Sequence, residues 1–359
     1  MTTPVRIGLL RLTDSAPVVV ARARGLFDAF DLDPVLSIEP SWANIADKLA
    51  YGLLDAAVML PPLALSMALG LRGPAVDLIV PMSLSQGGNT IVLGGKLDPE
   101  TAALTPGARL LAWLRTRTDR PRLGVVHRFS THNLLLRYWL ALTGVDPDKD
   151  VETVVVPPDQ VVAALADGRI AGFCAGAPWG QAAEQAGAGT VLLGTSDIWP
   201  FHPEKCLAVR AEWARDNPAA LIALLRVLMR AQAICDRPEE ADSVAAIAAD
   251  PDGLALPEQA VRAALAGGSS HEQIHFHVAG AAFPAPPHAA WFLRQMARWG
   301  WLDPSVRIAE VASRVYRPDL YAGAAKLEDL FVFPPLASNF PGGSGESRAI
   351  PLDSVLPEF

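Results

Sequence analysis

A constant offset runs through the first half of the chain, and it limits the architecture more than any other feature. Gly8 and Gly124 stand 124 − 8 = 116 positions apart, and at that spacing Ile7-Gly8-Leu9-Leu10 falls on Leu123-Gly124-Val125-Val126. Leu49-Ala50-Tyr51-Gly52-Leu53-Leu54 falls on Leu165-Ala166-Asp167-Gly168-Arg169-Ile170, and Pro62 falls on Pro178. A fixed spacing of this kind marks a repeated unit. Both copies follow one grammar. A short apolar strand (Val5–Leu10; Leu123–His127) meets a polar turn (Thr13-Asp14-Ser15; Ser130-Thr131-His132) and then a helix (17–30; 133–143). A second strand (35–38; 152–156) and a second helix (44–51; 160–166) follow, and the helix stops at Gly52 or Gly168, where glycine tolerates the left-handed turn. A third apolar strand (56–60; 171–174) completes the unit. Strands alternating with helices make parallel βαβ layers, so two copies predict two α/β lobes.

The duplication divides the chain. Residues 1–95 form the first part of lobe one, 96–198 form lobe two, and 199–330 return to lobe one with C-terminal helices, led by an apolar-periodic stretch at Pro218–Ile234. Residues 331–359 are a tail rich in Pro, Gly and Ser. Two lobes joined by crossovers enclose a hinged cleft, the usual place for a small ligand. With 51% hydrophobic and 19% charged residues, the chain is apolar enough to build both cores. Its formal net charge of −8 and lack of a basic run exclude direct binding to nucleic acid. Cys174, Cys206 and Cys235 form no CxxC pair, which argues against a zinc cluster or a disulfide framework. The first apolar run, Ile7–Leu10, is broken by Arg11 and Asp14 and is too short for a secretory signal. On that ground the chain is expected in the cytoplasm.

Among catalytic signatures the sharpest match is His271-Glu272-Gln273-Ile274-His275, an HExxH sequence. A zinc hydrolase needs it on a helix, with both imidazoles on one face and a third ligand downstream. Here Gly267-Gly268 precede it, Gly280 and Pro284 follow, and the next helix offers Trp291, Arg294 and Arg298 instead of an acid. The zinc reading stands as a minor alternative to histidines lining a loop. The chain has no nucleophile elbow, no Walker A sequence and no paired carboxylates at a catalytic spacing. It is expected to be no enzyme and to use no metal or cofactor.

Four loops should face the cleft, and they carry donors. They are Ser41-Trp42-Ala43-Asn44, Ser85-Gln86-Gly87-Gly88-Asn89-Thr90, Phe129-Ser130-Thr131-His132-Asn133 and His202-Pro203-Glu204-Lys205-Cys206. The Trp42 indole and the Gln86 amide are neutral donors, His132 can donate at a helix N-terminus, and Lys205 carries a full charge. Lysine is scarce here, with only five among 30 basic residues, so Lys205 beside an apolar strand stands out. One cation among neutral donors suits a small oxyanion. Taken singly, the same residues read as core packing (Trp42), turn bonding (Gln86), a helix cap (His132) and a surface pair of Lys205 with Glu204.

Longer segments carry a resemblance. Leu12–Pro17, Pro40–Ala43, Thr131–Leu140, Val154–Pro158, Phe173–Trp179, Ile198–Lys205, Trp291–Gly300 and Val315–Leu320 occur together in this order. The chain thereby resembles the nitrate/bicarbonate-binding family of bacterial solute-binding proteins from about Arg6 to Lys326. That resemblance implies a type II periplasmic-binding-protein fold, two hinged α/β lobes around an interlobe cleft. It also implies an anion held by Trp42, Gln86, His132 and Lys205. A cation at Lys205 matches the nitrate-binding members, whereas the bicarbonate-binding members depart there and use calcium. Phe129-Ser130 replaces the Gly-Gly usual before the Thr-His pair.

Within that resemblance the missing export signal points to the cytoplasmic nitrate/nitrite sensor branch, NasS. The implied partner is an antiterminator of the NasT type, held inactive until ligand binds. The alternative is the periplasmic substrate-binding component of a nitrate or bicarbonate ABC transporter.

Overall fold

The computed structural model describes residues 2–328 except 96, 98 and 269; the tail at 331–359 therefore lies outside the described residues. Its strands are β1 (Thr3–Leu9), β2 (Leu32–Ile38), β3 (Ala56–Met59), β4 (Leu78–Ser83), β5 (Gln86–Gly87), β6 (Asn89–Gly94), β7 (Arg122–Val125), β8 (Glu152–Val155), β9 (Gly172–Gly176), β10 (Gly189–Gly194), β11 (Cys206–Arg210) and β12 (Ile274–His275). They build two five-stranded sheets, ordered β2-β1-β3-β11-β4 and β10-β6-β9-β7-β8. Read from the other edge, the second is β8-β7-β9-β6-β10, the same plan as the first. Each has three parallel strands from one copy of the repeat. Each adds an antiparallel strand, β11 or β6, that enters from the other lobe.

This is the two-lobed α/β periplasmic-binding-protein fold. The chain crosses between lobes at 84–88 and at 195–205. The antiparallel pair β5–β12 ties the first crossover to the C-terminal part, with Gln86 opposite His275 and Gly87 opposite Ile274.

Local chemistry explains the element ends. The first helix spans Ala16–Ala23, shorter than the sequence reading, because Gly25 turns left-handed at φ 66° and Asp28–Phe30 forms a separate 3-10 turn. Strands covered on both faces read as continuous apolar runs: β3 and β9 inside their sheets and β4 at an edge are all wholly buried. At the edge, β8 exposes Glu152 and Val155. The helix Pro218–Cys235 is long and apolar enough to cross a membrane by length and composition. Here it is a core helix: it packs on Ala16–Ala23 and buries Leu224, Leu225, Val227 and Leu228. Its arginines Arg226 and Arg230 reach Glu328 at 2.6 and 2.7 Å.

Sheet packing leaves no room at Gly172, where an added Cβ would stand 2.7 Å from the Val92 carbonyl oxygen. At Gly323, in the helix Pro318–Lys326, an added Cβ would meet nothing within 4 Å. Gly172→Ala should therefore destabilise lobe two by ~1–3 kcal/mol, seen as a lower urea midpoint. Gly323→Ala should be neutral or stabilise by up to ~1 kcal/mol.

Candidate functional site

The turn after β1 puts Asp14 into the cleft. Ser15 Oγ donates to the Leu10 carbonyl at 2.9 Å, and the Thr13 N–H donates across the lobes to the Ala177 carbonyl at 3.1 Å. The matching turn after β7 presents His132 in the first turn of the helix Thr131–Leu142, whose N-cap Ser130 accepts from the Asn133 N–H at 3.0 Å. Trp42 opens the helix Trp42–Ala50 behind its own cap, Ser41. Gln86 lies on β5, bridged on one side by Pro203 and on the other by His275. Glu204 and Lys205 end the second crossover, just before β11. Asp14, Trp42, Gln86, His132, Glu204 and Lys205 are all buried, at 0–1% exposure.

Apart from Gln86, these side chains form one cluster. The Lys205 ammonium donates to Glu204 Oε1 at 2.5 Å and pairs with Asp14 Oδ2 at 2.9 Å. It also stands 5.6 Å from the centre of the Trp42 ring, within cation–π range. Ser85 Oγ donates to Asp14 Oδ1 at 2.5 Å, and Asn89 Nδ2 donates to Glu204 Oε2 at 2.6 Å. The nearest approach of His132 Nδ1 to Glu204 Oε1 is 3.5 Å. Gly176, at the end of β9, lets three side chains approach one point closely. A Cβ there would lie 3.2 Å from Asn89 Oδ1, 3.4 Å from Asp14 Oδ2 and 3.6 Å from His132 Nε2.

Several buried polar atoms around this point have no hydrogen-bond partner: Trp42 Nε1, Gln86 Oε1, Asn89 Oδ1, Thr131 Oγ1 and both ring nitrogens of His132. Native proteins rarely leave such atoms unpaired, so their convergence from both lobes is the mark of a ligand site.

The electrostatics follow from burial and pairing. Burial alone would strip the charge from Lys205, but Asp14 and Glu204 raise its pKa above the ordinary lysine value. Burial also favours a neutral Glu204, yet the neighbouring His132, Lys205 and His202 outweigh it and hold its pKa below the usual carboxylate range. Asp14 goes the other way: burial and the nearby Glu204 outweigh Lys205 and raise its pKa. Burial drives His132 down to about 3, against the pull of Glu204, so its imidazole is neutral.

Trp42, His132 and Lys205 thus meet in one cluster, while Gln86 is buried on the first crossover strand and takes part in none of those contacts. The description of Lys205 as a cation among neutral donors needs correction, because two carboxylates already flank it. Its pairing with Glu204 is no surface contact either. Asp14 and Glu204 were missed as site residues. Asp14 had a signal, an acidic residue in the turn after the first strand of the repeat. For Glu204 the only signal was its adjacency to Lys205.

The HExxH sequence has a different job. His275 lies on a two-residue strand and not on a helix. Glu272 accepts from the Gly180 N–H at 2.6 Å, the Gln181 N–H at 3.1 Å and Thr90 Oγ1 at 2.9 Å. It thereby caps the helix Trp179–Gln185 from outside, where free N–H groups favour a carboxylate. Among the described residues no cluster of three His, Cys, Asp or Glu could hold a metal.

Comparison with known proteins now places the chain. Residues 1–249 match the model of the NMT1-like family. The nitrate/nitrite binding protein NrtA of Synechococcus elongatus is 31% identical over 342 residues, covering 90% of this chain and 77% of that protein. The chain belongs to this family of solute-binding proteins. The family binds anions and is a non-catalytic class. The crystal structure of the periplasmic nitrate-binding protein NrtA from Synechocystis PCC 6803 superposes with a TM-score of 0.84 at 29% identity, covering 91% of this chain and 89% of that one. The nitrate import ATP-binding protein NrtC of Synechocystis is 35% identical over 345 residues, 89% of this chain but 49% of its own. The chain spans about half the length of that relative, and it carries no Walker A sequence itself.

Two expectations are corrected by these relatives. They are named for nitrate binding and import and not for gene control, so the NasS-type sensor and its NasT-type antiterminator partner are withdrawn. The solved relative is periplasmic, which overturns the cytoplasmic assignment. That assignment rested on the residues at which the chain begins, and a starting point does not decide a compartment.

Glu272 yields a test of the capping role. Burial raises its pKa to about 7 from an ordinary 4.5, against the lowering effect of its three hydrogen bonds. Between those two values the folded chain holds a proton there that the unfolded chain has released. Stability must fall as pH rises through this window, by at most ~1.4 kcal/mol per pH unit. The contribution is levelled off above pH 7. Glu272→Gln should remove that slope, read as the difference between wild-type and variant urea denaturation at pH 4.5 to 7.5.

Proposed function

We propose that the chain is the extracytoplasmic solute-binding part of an ABC-type importer for a small planar monoanion, nitrate or nitrite. Trp42 and Lys205 engage it from lobe one, His132 from lobe two, and Gln86 from the crossover. The observation that carries this reading is Lys205: a wholly buried ammonium between the lobes, ringed by polar atoms that lack partners. The matched relatives named for nitrate and nitrite support the same choice of anion. Closure of the lobes lets one small ligand satisfy donors that cannot reach one another. A closed, ligand-filled form is then the state that a membrane partner would distinguish from the open one.

A lysine at this position favours nitrate or nitrite over bicarbonate held through calcium, since its ammonium already occupies Asp14 and Glu204, the carboxylates that a calcium ion would need. Isothermal titration calorimetry with nitrate, nitrite, and bicarbonate plus calcium tests this directly. Nitrate or nitrite should bind the wild-type protein. Lys205→Gln should weaken that binding by roughly 10- to 150-fold, the range for a charged hydrogen bond of ~1.5–3 kcal/mol. Binding of bicarbonate with calcium but of neither nitrogen oxyanion would refute the assignment, as would unchanged affinity in the Lys205 variant.

A further inference from the structure

The charge count in the cluster has a consequence for any anion that enters. Glu204 and Asp14 face one Lys205, and every group is out of water. With both carboxylates ionised the cluster already carries one net negative charge. A monoanion would add a second in a space where unit charges ~4 Å apart interact by ~4 kcal/mol even at an effective dielectric of 20. Neutral donors alone do not offset that repulsion. A proton would.

The groups around the cluster narrow down where the proton goes. From the second crossover come His202, Glu204 and Lys205; from the turn after β1 comes Asp14; from β6 comes Asn89. The Cys174 thiol on β9 is kept protonated by burial and by Glu204, and so is the Cys206 thiol, mainly by burial. His202 is occupied. Thr195 Oγ1 donates to the Asn89 carbonyl at 3.1 Å, so at 2.7 Å from His202 Nε2 it is the acceptor of that ring N–H. Lys205 is already charged, and Asp14 is held between the Lys205 ammonium at 2.9 Å and the Ser85 hydroxyl at 2.5 Å. His132 alone has two idle ring nitrogens, one 3.5 Å from Glu204 Oε1 and the other beside Gly176. As an imidazolium it would donate to Glu204 through Nδ1 and to the anion through Nε2.

We infer that the anion binds together with one proton, taken up from solution by His132. The inference rests on the anion-site reading above and adds its proton linkage. In the empty site His132 is neutral; with the anion present its charged form gains two acceptors. Between the pKa values of the empty and filled states, affinity must fall about tenfold for each unit of pH rise.

A pH-stat measures the uptake on the wild-type protein. Potassium nitrate is added to concentrated, unbuffered protein between pH 4 and 7, above the empty-site value of about 3, and the acid needed to hold the pH is recorded. The expected result is net acid uptake of up to about one equivalent per bound nitrate, with Kd rising by up to about tenfold per pH unit across the window where uptake is seen. His132→Gln, which keeps a neutral donor but cannot take the proton, should bind nitrate about tenfold or more weakly than the wild type, with no uptake and a flat pH profile. Nitrate binding without acid uptake would overturn the proton linkage and leave the anion site standing. Uptake that persists in His132→Gln and disappears in Asp14→Asn would overturn the assignment to His132. Absence of nitrate binding at every pH, by calorimetry and by tryptophan fluorescence, would remove the site reading and the linkage together.

Discussion

A lysine with no solvent access has to be answered by carboxylates, and that requirement organises the cleft. Lys205 meets Asp14 and Glu204 at 2.9 and 2.5 Å. Both acids need further partners of their own. Asp14 takes Ser85 from the first crossover, and Glu204 takes Asn89 from β6 in the second sheet. One buried cation therefore fixes the turn after β1, both crossovers and the edge of the other lobe. A buried pair of this kind adds little net stability, because desolvation offsets the attraction. Its value lies in specifying geometry: if either acid is removed, the remaining charges lose their answer.

The duplication explains why the site forms at this point. The turns after β1 and β7 are equivalent in the repeat, and they face each other across the cleft. One supplies Asp14 and the other His132, an acid opposite an imidazole. The same equivalence brings the Thr13 N–H to the Ala177 carbonyl, closing the lobes through backbone as well as side chains. The exchanged strands β11 and β6 each run antiparallel inside the opposite lobe's sheet, one place in from its edge, so the crossovers that carry Lys205 and Gln86 are anchored in both lobes.

Most of this plan was legible in the sequence because it is written in local chemistry. Glycine at 52 and 168 and apolar runs at 56–60 and 171–174 mark elements without reference to the rest of the fold, whereas the helix caps Ser41 and Ser130 come only from the structure. The donors Trp42, Gln86, His132 and Lys205 followed from their loops and from family resemblance. The acids were harder to see. A neighbouring Glu and Lys look alike whether they meet in water or in a core. Along a strand, adjacent side chains would also point to opposite faces. Glu204 and Lys205 precede β11 and sit outside that alternation, which lets both face the cleft. The HExxH sequence misleads for the opposite reason: its spacing has meaning only on a helix, and here a two-residue strand removes the shared face.

The acidic balance of the chain, −8 overall, looks at first like an obstacle to holding an anion. Distant charges are largely screened beyond ~8 Å at physiological ionic strength, so the surface has little say at a buried point. The decisive charges are the three of Asp14, Glu204 and Lys205, with the neutral His132 beside them. Their balance sets a selectivity that the donors alone would not. A monoanion arriving with one proton leaves the cluster at the charge it had when empty. A dianion such as sulfate would bring one negative charge more than that proton offsets, into a space with no second free base among the described groups. On the proposed reading, size and planarity are set by the Trp42 face and the closed lobes, and valence by a lysine whose attraction is weakened by its two acids.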